Sequence, residues 1–532
     1  MSGNTFDFVV VGGGSNTLSA AAYLAAGGHS VVVLERRGWV GGGCITREAT
    51  VPGFRHDLHA TNVFLVKANP LIRCDELGLL SRFGLEYVVT DEPYHGSLFE
   101  DGSGVRVYTD LDRTCAALAE LDPRDAEAYR GFASHAAKFV DLLSWGMFAP
   151  PLDSATFVEV LQQSPDGRYL LDLMQKSAWE VIAGAFRDTR IQSHLYRMTG
   201  EMMVSPEEKG TAFALFIILG FSHRYTSGFV KGGSQGFSDA LVRCLEHHGG
   251  TVLTKHEVVR IETRGGRATG AVTADGGRFV ARQAVVAGIA PWTLDRFVEG
   301  ASVQALADAR AARSSDFGVF LSSYALKEPV RPRYHDSLRR MQINQCMHTD
   351  VNRIRSAFEN VRNGRVPGRP EEYFANFICA SLHDPTRAPP GKATLYLYHM
   401  VPMIPEGRGP EAWNELSEGF AHWLFDGASA YLENLTADNV LGAHHESPHE
   451  MSHCLPSFRH GDVMGLGTFA EQFLGGRPTL ALAQYRVPGV ERLYLSGPFM
   501  HPGGGITGGG RAVAMRVLSD LDLDLDQAFP FH

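Results

Sequence analysis

A glycine-rich turn stands between a buried strand and a helix close to the start of the chain. Residues 8–11 (FVVV) form an apolar run typical of a strand buried on both faces, and the alanine-rich stretch 17–26 has a helical pattern that ends in glycine. A second apolar run, SVVVLE, follows at 30–35. Gly12 permits a tight turn, and Gly14 lets backbone N–H groups approach a pyrophosphate at the positive end of the helix. The segment therefore predicts a strand–turn–helix–strand unit that binds a dinucleotide.

The motif departs from G-x-G-x-x-G at its third glycine, which is Thr17. That glycine mainly serves close packing of helix against strand, so we expect Thr17 to affect packing more than phosphate contact. Glu35 ends the second strand about 20 residues past the glycines, where a carboxylate accepts hydrogen bonds from a ribose 2′-hydroxyl. This position disfavours NADP, although Arg36 and Arg37 follow directly and keep the exclusion from being absolute.

Length and composition exclude several classes of protein. At 532 residues and 44% hydrophobic, the chain can bury a large core and is expected to hold two domains or more. A net charge of −10 without a basic stripe argues against nucleic acid as a partner. Seven scattered cysteines and the lack of a secretion signal favour a cytoplasmic location. The apolar run at 211–221 is shorter than the roughly 20 residues of a membrane span, which leaves peripheral membrane contact open.

Nucleotide-type segments recur later in the chain. Residues 38–57 contain a second glycine cluster, and residues 230–288 show a glycine turn, an amphipathic helix, a strand, a β-meander and an apolar strand. Residues 490–521 show a strand, a glycine turn and a helix. Helical patterns at 125–144 and 168–186 lie between these pieces. The pattern predicts one nucleotide domain in three pieces (1–60, 229–300 and 486–532) and an inserted substrate domain (61–228 and 301–485).

With this arrangement, the sequence resembles the FAD-dependent phytoene desaturase-like superfamily over nearly its whole length. The superfamily includes carotenoid desaturases and isomerases, retinol saturase, and a soluble branch typified by pyridine nucleotide-disulphide oxidoreductase domain-containing protein 2. The resemblance is closest to that soluble branch, on the motifs DPTRAPPGK and HPGGG. Further carriers are VVVGGGSNTLSAAAYLA, VLERRGWVGGGCITREATVPGFRHD, LDPRDAEAYRGF, GGSQGFSDAL and LYLSGPFMHPGGGITGGG.

The resemblance implies an α/β fold, α+β overall, with a Rossmann-like FAD domain and a substrate domain of mixed sheet plus helices. It also implies which residues bind FAD. The pyrophosphate set lies in the first glycine turn and at the start of the following helix, and the ribose and adenine set includes one residue of the HEVVRI strand. The last set joins the second glycine cluster, which passes the pyrophosphate and ribityl chain, to the C-terminal residues at the ribityl and isoalloxazine end. In that order these residues are Gly12, Gly14, Asn16 and Thr17; Glu35, Arg36 and Val258; and Gly41, Gly42, Gly43, Gly497, Gly504, Gly505, Ile506 and Thr507.

The same family pattern implies hydride transfer to flavin N5, which needs few protein groups beyond those that position the substrate. We expect oxidation of a C–C or C–N bond in a largely apolar small molecule, with dioxygen or a quinone as electron acceptor. His59, Thr61 and His501 are the candidate catalytic groups near the flavin ring, and each can instead be a hydrogen-bonded structural residue. The alternatives are a redox-neutral double-bond isomerase or saturase using reduced FAD, and a flavin-binding interaction protein without turnover.

A competing metal motif occurs at residues 449–453, where HEMSH matches H-E-x-x-H. On a helix it would place His449 and His453 one turn apart for zinc, with Glu450 as general base. Pro448 and Pro456 bracket a helix barely two turns long, and no further histidine of an extended motif follows. We therefore predict no metal site.

Overall fold

The structure is a computed structural model that describes residues 4–61, 64–225, 228–333 and 338–529. Its β-strands fall into two large sheets and two short two-stranded ladders. In chain order the strands are β1 (Thr5–Val11), β2 (Val31–Glu35), β3 (Thr46–Arg47), β4 (His56–Asp57), β5 (Tyr87–Val88), β6 (His95–Phe99), β7 (Gly104–Val107), β8 (Phe229–Val230), β9 (Thr251–Thr254), β10 (Val258–Arg264), β11 (Arg267–Thr273), β12 (Arg278–Ala287), β13 (Gly318–Leu326), β14 (Ile343–Met347), β15 (Asn376–Ile378), β16 (Ala393–Val401), β17 (Val440–Glu446), β18 (Arg486–Val487) and β19 (Val490–Leu495).

The helices cover the faces of both sheets, and short 3-10 turns such as Pro291–Arg296 lie in the connections. In chain order the helices are α1 (Ser15–Ala26), α2 (Phe64–Ala68), α3 (Pro70–Arg73), α4 (Leu111–Ala119), α5 (Pro123–Ala137), α6 (Val140–Met147), α7 (Ser154–Gln162), α8 (Pro165–Met174), α9 (Ala178–Ala185), α10 (Thr189–Gly200), α11 (Thr211–Arg224), α12 (Gln235–His247), α13 (Val303–Ala311), α14 (Val351–Arg362), α15 (Trp413–Ser429), α16 (Pro448–Cys454) and α17 (Gly510–Asp520).

The first sheet collects strands from both ends and the middle of the chain. Its order is β10-β11-β19-β12-β1-β2-β9, with β18 paired to β19. The central pairs β12/β1, β1/β2, β2/β9 and β12/β19 are parallel, while β10/β11 is antiparallel. Parallel strands covered by helices are buried on both faces, which explains their continuous apolar runs. Helix α1 packs against both α12 and α17.

The second sheet has the order β17-β13-β16-β15-β14-β6-β7. Its pairs are antiparallel except for β14 and β6, which run parallel. One face packs against α15 through Trp413, Phe420 and Leu424. The other face turns toward helices α10 and α11, and the space between them forms part of the cavity described below. The predicted mixed α/β class with parallel and antiparallel strands is confirmed.

Local predictions hold in the middle segment and need correction between residues 125 and 186. The helix, strand, meander and apolar strand expected at 230–288 are α12 and β9 to β12. The pattern at 125–144 is two helices, α5 and α6, and the pattern at 168–186 is also two, α8 and α9. Ser177 starts α9 with a capping box to Glu180, which supplies hydrogen-bond partners to the new helix end.

The apolar run at 211–221 lies in α11, which is buried nearly all round as a core helix. Among the residues that the structure describes, no helix is long and apolar enough to cross a membrane.

Candidate functional site

The carboxyl ends of four neighbouring parallel strands, β19, β12, β1 and β2, meet at one edge of the first sheet. The Gly12 amide donates to the Leu34 carbonyl at 2.8 Å, and the Gly288 amide donates to the Val11 carbonyl at 2.7 Å. The Ser496 amide donates to the Ala287 carbonyl at 3.0 Å, so β19 ends beside β12. Ligands of open α/β sheets bind outside such carboxyl ends. The first and last glycine motifs of the chain therefore lie side by side at the edge where a dinucleotide is expected.

Thr17 fits this edge because its hydroxyl group donates to a backbone carbonyl and its methyl group packs against a glycine. Its Oγ1 lies 2.6 Å from the Gly12 carbonyl and 2.9 Å from the Gly14 carbonyl, and it donates to the turn itself. A Cβ on Gly288 would lie 3.0 Å from the Thr17 methyl carbon. The glycine after β12 therefore provides the close approach of helix and sheet that a third motif glycine usually provides. The packing problem expected from Thr17 is resolved on the neighbouring strand.

Glu35 closes the glycine turn from the end of β2. Its Oε2 accepts from the Gly13 amide at 2.7 Å, and its Oε1 accepts from the Arg37 amide at 2.8 Å. Arg36 points elsewhere, since its Nη2 donates to the Cys454 carbonyl at the end of α16 at 3.1 Å. Val258 is buried at the start of β10, and the His256 amide just before it donates to the Glu35 carbonyl at 2.8 Å. The predicted ribose and adenine residues are therefore neighbours, with Arg36 turned toward a helix end.

The second glycine cluster lies against the first. The Gly41 amide donates to the Gly13 carbonyl at 2.7 Å. Gly42 adopts a φ of +62°, and a Cβ there would lie 3.2 Å from the Gly14 Cα. A Cβ on Gly43 would lie 3.0 Å from the Phe458 ring. These close approaches require glycine, because the left-handed backbone and the short distances leave little room for a side chain.

Side chains from distant parts of the sequence hold the C-terminal glycine turn in place. The Asn16 Oδ1 accepts from the Gly509 amide at 3.0 Å, and the Asn69 Nδ2 donates to the Thr507 carbonyl at 2.8 Å. The fully buried Arg477 donates to backbone carbonyls, including those of Met464 and Pro498. Burial lowers the pKa of Arg477 to about 10, opposed by the nearby Asp462, so the guanidinium stays charged at neutral pH. Sequence reasoning missed Asn69 and Arg477, because neither lies in a glycine motif.

A cavity of about 360 Å³ opens from these turns. Ser496 on its wall is fully buried, and its Oγ has no hydrogen-bond partner among the described residues. Glu35, Arg36 and Val258 do not line the cavity, Thr507 lines a second cavity of about 60 Å³, and His501 lines neither. The predicted residues that line the main cavity are Gly12, Gly14, Asn16, Thr17, Gly41, Gly42, Gly43, His59, Thr61, Gly497, Gly504, Gly505 and Ile506.

His59 brings an imidazole to the cavity wall. The Ala60 amide next to it donates to the Gly43 carbonyl at 3.2 Å, which fixes this segment against the second glycine cluster. The His59 Nε2 lies 3.0 Å from the Glu446 Oε2, and both side chains are buried. Burial raises the pKa of Glu446, but hydrogen bonding to His444 and the contact with His59 outweigh burial and lower it to about 2. Glu446 is therefore a carboxylate, a partner for His59 that sequence reasoning missed.

His501, the third candidate catalytic residue, does not line either cavity. Its side chain is buried against the backbone of residues 146–149. Burial lowers its pKa to about 4, so the ring is neutral at pH 7. The residue precedes the glycine turn in sequence, but the turn directs its ring toward the C-terminal end of α6. Thr61, by contrast, does line the main cavity.

The rest of the cavity is mainly apolar, with a few polar groups on its walls. Val319, Leu321, Ile343 and Ile378 of the second sheet form one wall, and methionines of the α10 region with Ile218 of α11 form the opposite wall. Tyr396 and Tyr398 of β16 and Glu201 at the end of α10 add polar groups. The alternation of the two tyrosines in the run LYLYHM was a signal for one sheet face. The cavity can therefore hold an apolar molecule beside the glycine edge.

The metalloprotease-like stretch forms α16, but its side chains are engaged in other contacts. The Glu450 carboxylate accepts from the Ser447 amide at 2.8 Å in a capping box. The His453 Nδ1 lies 2.9 Å from the His449 carbonyl of the preceding turn. Within the described ranges, no group of three His, Cys, Asp or Glu residues is arranged to hold a metal ion. The stretch is therefore a capped helix, and its C-terminal carbonyl, that of Cys454, accepts a hydrogen bond from Arg36.

Comparison with known proteins agrees with this geometry. The chain is 25% identical to one component of the limonene dehydrogenase of Castellaniella defragrans, over 98% of this chain and 95% of that protein. It is 26% identical to mouse pyridine nucleotide-disulfide oxidoreductase domain-containing protein 2, over 97% and 94%. It is 24% identical to a lycopene-forming phytoene desaturase of Paracoccus sp., over 81% of each chain. The predicted resemblance to the phytoene desaturase-like superfamily is confirmed.

Solved structures show the same fold at low identity. An oxidoreductase from Methanosarcina mazei has a TM-score of 0.61 at 17% identity, covering 97% of this chain and 99% of that one. Cyclohexylamine oxidase from Brevibacterium oxydans has a TM-score of 0.59 at 15% identity, with the same coverage. The family model for flavin containing amine oxidoreductases matches residues 18–509. The chain therefore belongs to the flavin containing amine oxidoreductases and is an FAD-dependent oxidoreductase.

Proposed function

We propose that this oxidoreductase oxidises a C–C or C–N bond of a largely apolar small molecule, as a dehydrogenase or desaturase. The observation that carries the proposal is the shared cavity. One wall is built from the glycine turns of both chain ends, and the space continues without interruption to the apolar face of the second sheet. A reacting bond can therefore lie beside the glycine edge while the rest of the molecule contacts aliphatic side chains.

The residues at the glycine edge fit FAD. The turns approach so closely that a Cβ on Gly42 would crowd Gly14, and the buried Ser496 Oγ lacks a partner among the described residues at the same edge. In this proposal Gly12, Gly14 and Asn16 hold the pyrophosphate, and Glu35 holds the ribose. The second glycine cluster, Gly41 to Gly43, passes the pyrophosphate and ribityl chain. The residues at the ribityl and isoalloxazine end are Gly497, Gly504, Gly505 and Ile506. When bound, FAD supplies a hydride acceptor at N5.

His59 is the group proposed to remove a proton. The Glu446 Oε2 lies 3.0 Å from Nε2 as an ion-pair contact, outside hydrogen-bond geometry. Both ring nitrogens are buried without a hydrogen-bond partner among the described residues, on a side chain that lines the cavity, and Nδ1 is the nitrogen remote from the carboxylate. Formation of a C=C or C=N bond releases one hydride and one proton, and Nδ1 accepts the proton. Glu446 stabilises the imidazolium that forms.

The apolar walls of the cavity, formed by aliphatic residues of the second sheet and by the methionines near α10, exclude water and contribute to substrate binding. Burial of apolar surface stabilises an apolar ligand by about 25 cal/mol per Å², and a dry site prevents side reactions. The names of two relatives, limonene dehydrogenase and phytoene desaturase, refer to hydrocarbons, which supports an apolar substrate here. We also propose that the first sheet with α1, α12 and α17 forms the FAD domain, and that the second sheet with α2 to α11 and α13 to α16 forms the substrate domain.

Anaerobic mixing of the FAD-loaded protein with candidate substrates tests the proposal. A dehydrogenase loses the visible absorbance of its flavin when a substrate is added without any reductant. Activity only after prior reduction of the flavin would contradict the proposal in favour of an isomerase or saturase. Binding without either response would indicate an interaction protein.

The proton-transfer role has a separate test with matched variants. We expect His59→Gln and Glu446→Gln to slow flavin reduction by roughly 100-fold, within the range of general-base catalysis, with FAD affinity unchanged. The control is His453→Gln, the same change at an exposed position outside the cavity. Normal reduction rates in the two cavity variants would contradict the role of His59.

A further inference from the structure

We infer that the substrate carries a hydroxyl group, and that Glu201 binds this group on the cavity wall. The inference rests on the proposed function, because it describes the substrate held in the same cavity. It differs from what the two hydrocarbon relatives suggest, and it concerns a recognition group remote from the bond that reacts.

The first observation is a row of polar residues across an otherwise apolar sheet face. Strand pairing places Ser97, Gln345, Asn376 and Tyr398 side by side on β6, β14, β15 and β16. Ser97 Oγ donates to Gln345 Oε1 at 2.9 Å, and Asn376 Nδ2 donates to Tyr398 Oη at 2.6 Å. Burying a polar side chain costs folding free energy unless the side chain is hydrogen-bonded. A row of polar side chains in an otherwise aliphatic sheet face therefore indicates a functional role such as ligand recognition.

Glu201 is the point where this row meets the cavity. Its Oε1 accepts from Arg197 and, at 2.8 Å, from Asn376, while its Oε2 accepts from Tyr398 Oη at 2.6 Å. A carboxylate offers about four acceptor positions, and these three donors leave one position on Oε2. The Glu201 side chain lines the cavity and keeps 27% of its surface exposed, whereas Arg197 is fully buried. The remaining acceptor position therefore suits a ligand that donates a hydrogen bond.

Tyr398 does not take up that remaining position, because it is already a donor to the carboxylate. Burial and the charge of Glu201 raise its pKa well above the usual value, so the phenol keeps its proton and donates it to Glu201. The carboxylate is thus held from three directions in one orientation. A rigid, preorganised acceptor is what a specificity group requires.

The charge balance selects a neutral donor over a cationic one. The negative charge of Glu201 is already neutralised by Arg197, which contacts it directly. His95 on the same wall is neutral, because burial and the nearby His194 and Arg197 hold its pKa well below the usual range. At this end of the cavity, remote from Glu446, an ammonium group would therefore add a charge that Arg197 leaves uncompensated, which is costly in an apolar surrounding. An alcohol donates the same hydrogen bond without that cost.

The position of Glu201 separates recognition from chemistry. Tyr396 and Tyr398 are two residues apart on β16, and their ring centroids lie 5.8 Å apart. Tyr396 Oη donates to the His59 carbonyl at 3.0 Å, whereas Tyr398 Oη donates to Glu201. The two tyrosines thus contact different parts of the wall, and a hydroxyl on Glu201 lies about one tyrosine-ring separation from the His59 segment, apart from the bond that reacts.

Three probes that share a chain but differ in the end group test the inference: 1-octanol, n-octane and n-octylamine. Binding is followed through the change in the visible spectrum of the FAD-loaded protein. We expect 1-octanol to bind about 10-fold or more tightly than either of the other two, the size of one hydrogen bond to a charged group. Equal affinity for alcohol and alkane, or tightest binding by the amine, would overturn the inference.

Variants show whether Glu201 causes the preference. Glu201→Gln should bring the alcohol and alkane affinities within about 3-fold of each other, while Glu207→Gln, at an ion pair with Arg355 outside the cavity, should keep the wild-type ratio. If the single variant does not fold, the double variant R197M/E201M removes the buried pair without leaving an unpaired charge. An unchanged ratio in either cavity variant would overturn the inference.

Flavin content and anaerobic reduction are measured on the same samples. If the protein binds FAD and is reduced by substrates but shows no preference for the alcohol, the inference about Glu201 is refuted and the proposed function stands. If no substrate reduces the flavin, the proposed function is refuted. The ratio of the alcohol and alkane affinities, measured from the visible spectrum, still decides the role of Glu201.

Discussion

Replacing Glu35 by alanine removes a carboxylate that fixes the first glycine turn. In the structure its two oxygens accept from the Gly13 and Arg37 amides at 2.7 and 2.8 Å. A hydrogen bond to a half-buried charged group contributes about 1 kcal/mol to stability, so the FAD-free protein should lose about 2 kcal/mol. The proposed contact with the ribose adds a separate loss of about 1.5–3 kcal/mol in FAD binding, which is roughly 10- to 150-fold in Kd.

Two assays separate these effects. Urea unfolding of the FAD-free protein measures the stability of the turn, and quenching of FAD fluorescence on reconstitution measures Kd. Glu35→Gln serves as the matched control, because one acceptor oxygen remains and about half of each loss is expected. Lower stability with an unchanged Kd would show that Glu35 only shapes the turn. An unchanged Kd in both variants would refute the assignment of the strand end to the ribose.

The remaining predictions concern the C-terminal turn, α16 and His501. Gly504→Leu should abolish FAD loading or turnover, because a Cβ at Gly504 would lie 2.5 Å from the Met464 Cα; a normal flavin spectrum and rate would contradict this. His449→Ala and chelator treatment should leave activity near wild type, since Glu450 is engaged in a helix cap, and loss of activity in both would favour a metal site. The pKa of His501 is about 4 in the folded protein against 6.5 for an ordinary histidine, so its contribution to stability is present above pH 6.5 and is lost as pH falls toward 4, by about 3 kcal/mol. His501→Phe should therefore show a shallower loss of unfolding free energy between pH 6.5 and 4, and an identical slope would contradict the buried neutral ring.

Features written in short stretches of sequence were predictable. The strand, glycine turn and helix at each end of the nucleotide segments follow from local apolar runs and glycines, and the structure has them as β1 with α1 and β19 with α17. The apolar helix at 211–221 was recognised as too short for a span, and it is a core helix. Local patterns also marked helices near residues 130 and 175, but the breaks within them depend on caps such as Ser177.

Features that depend on distant contacts were not predictable in the same way. His59 was identified from its position after a glycine cluster, but its partner Glu446 lies on a strand of the other sheet and has no motif. His501 precedes the second glycine turn, yet the turn directs its ring toward residues 146–149. The match of Thr17 with Gly288 likewise joins two residues that only the fold brings together. Side-chain direction and long-range pairing decide these cases, and neither has a local sequence period.

A crystal structure of the FAD-loaded protein tests the central claim most directly. The account predicts flavin density along the edge where β1, β12 and β19 end, with the ribose at Glu35 and the isoalloxazine between Gly43 and Gly504. The open face of the ring should point into the cavity lined by His59 and Tyr396. Density for FAD at any other place on the chain, or a ring turned away from this cavity, would contradict the account.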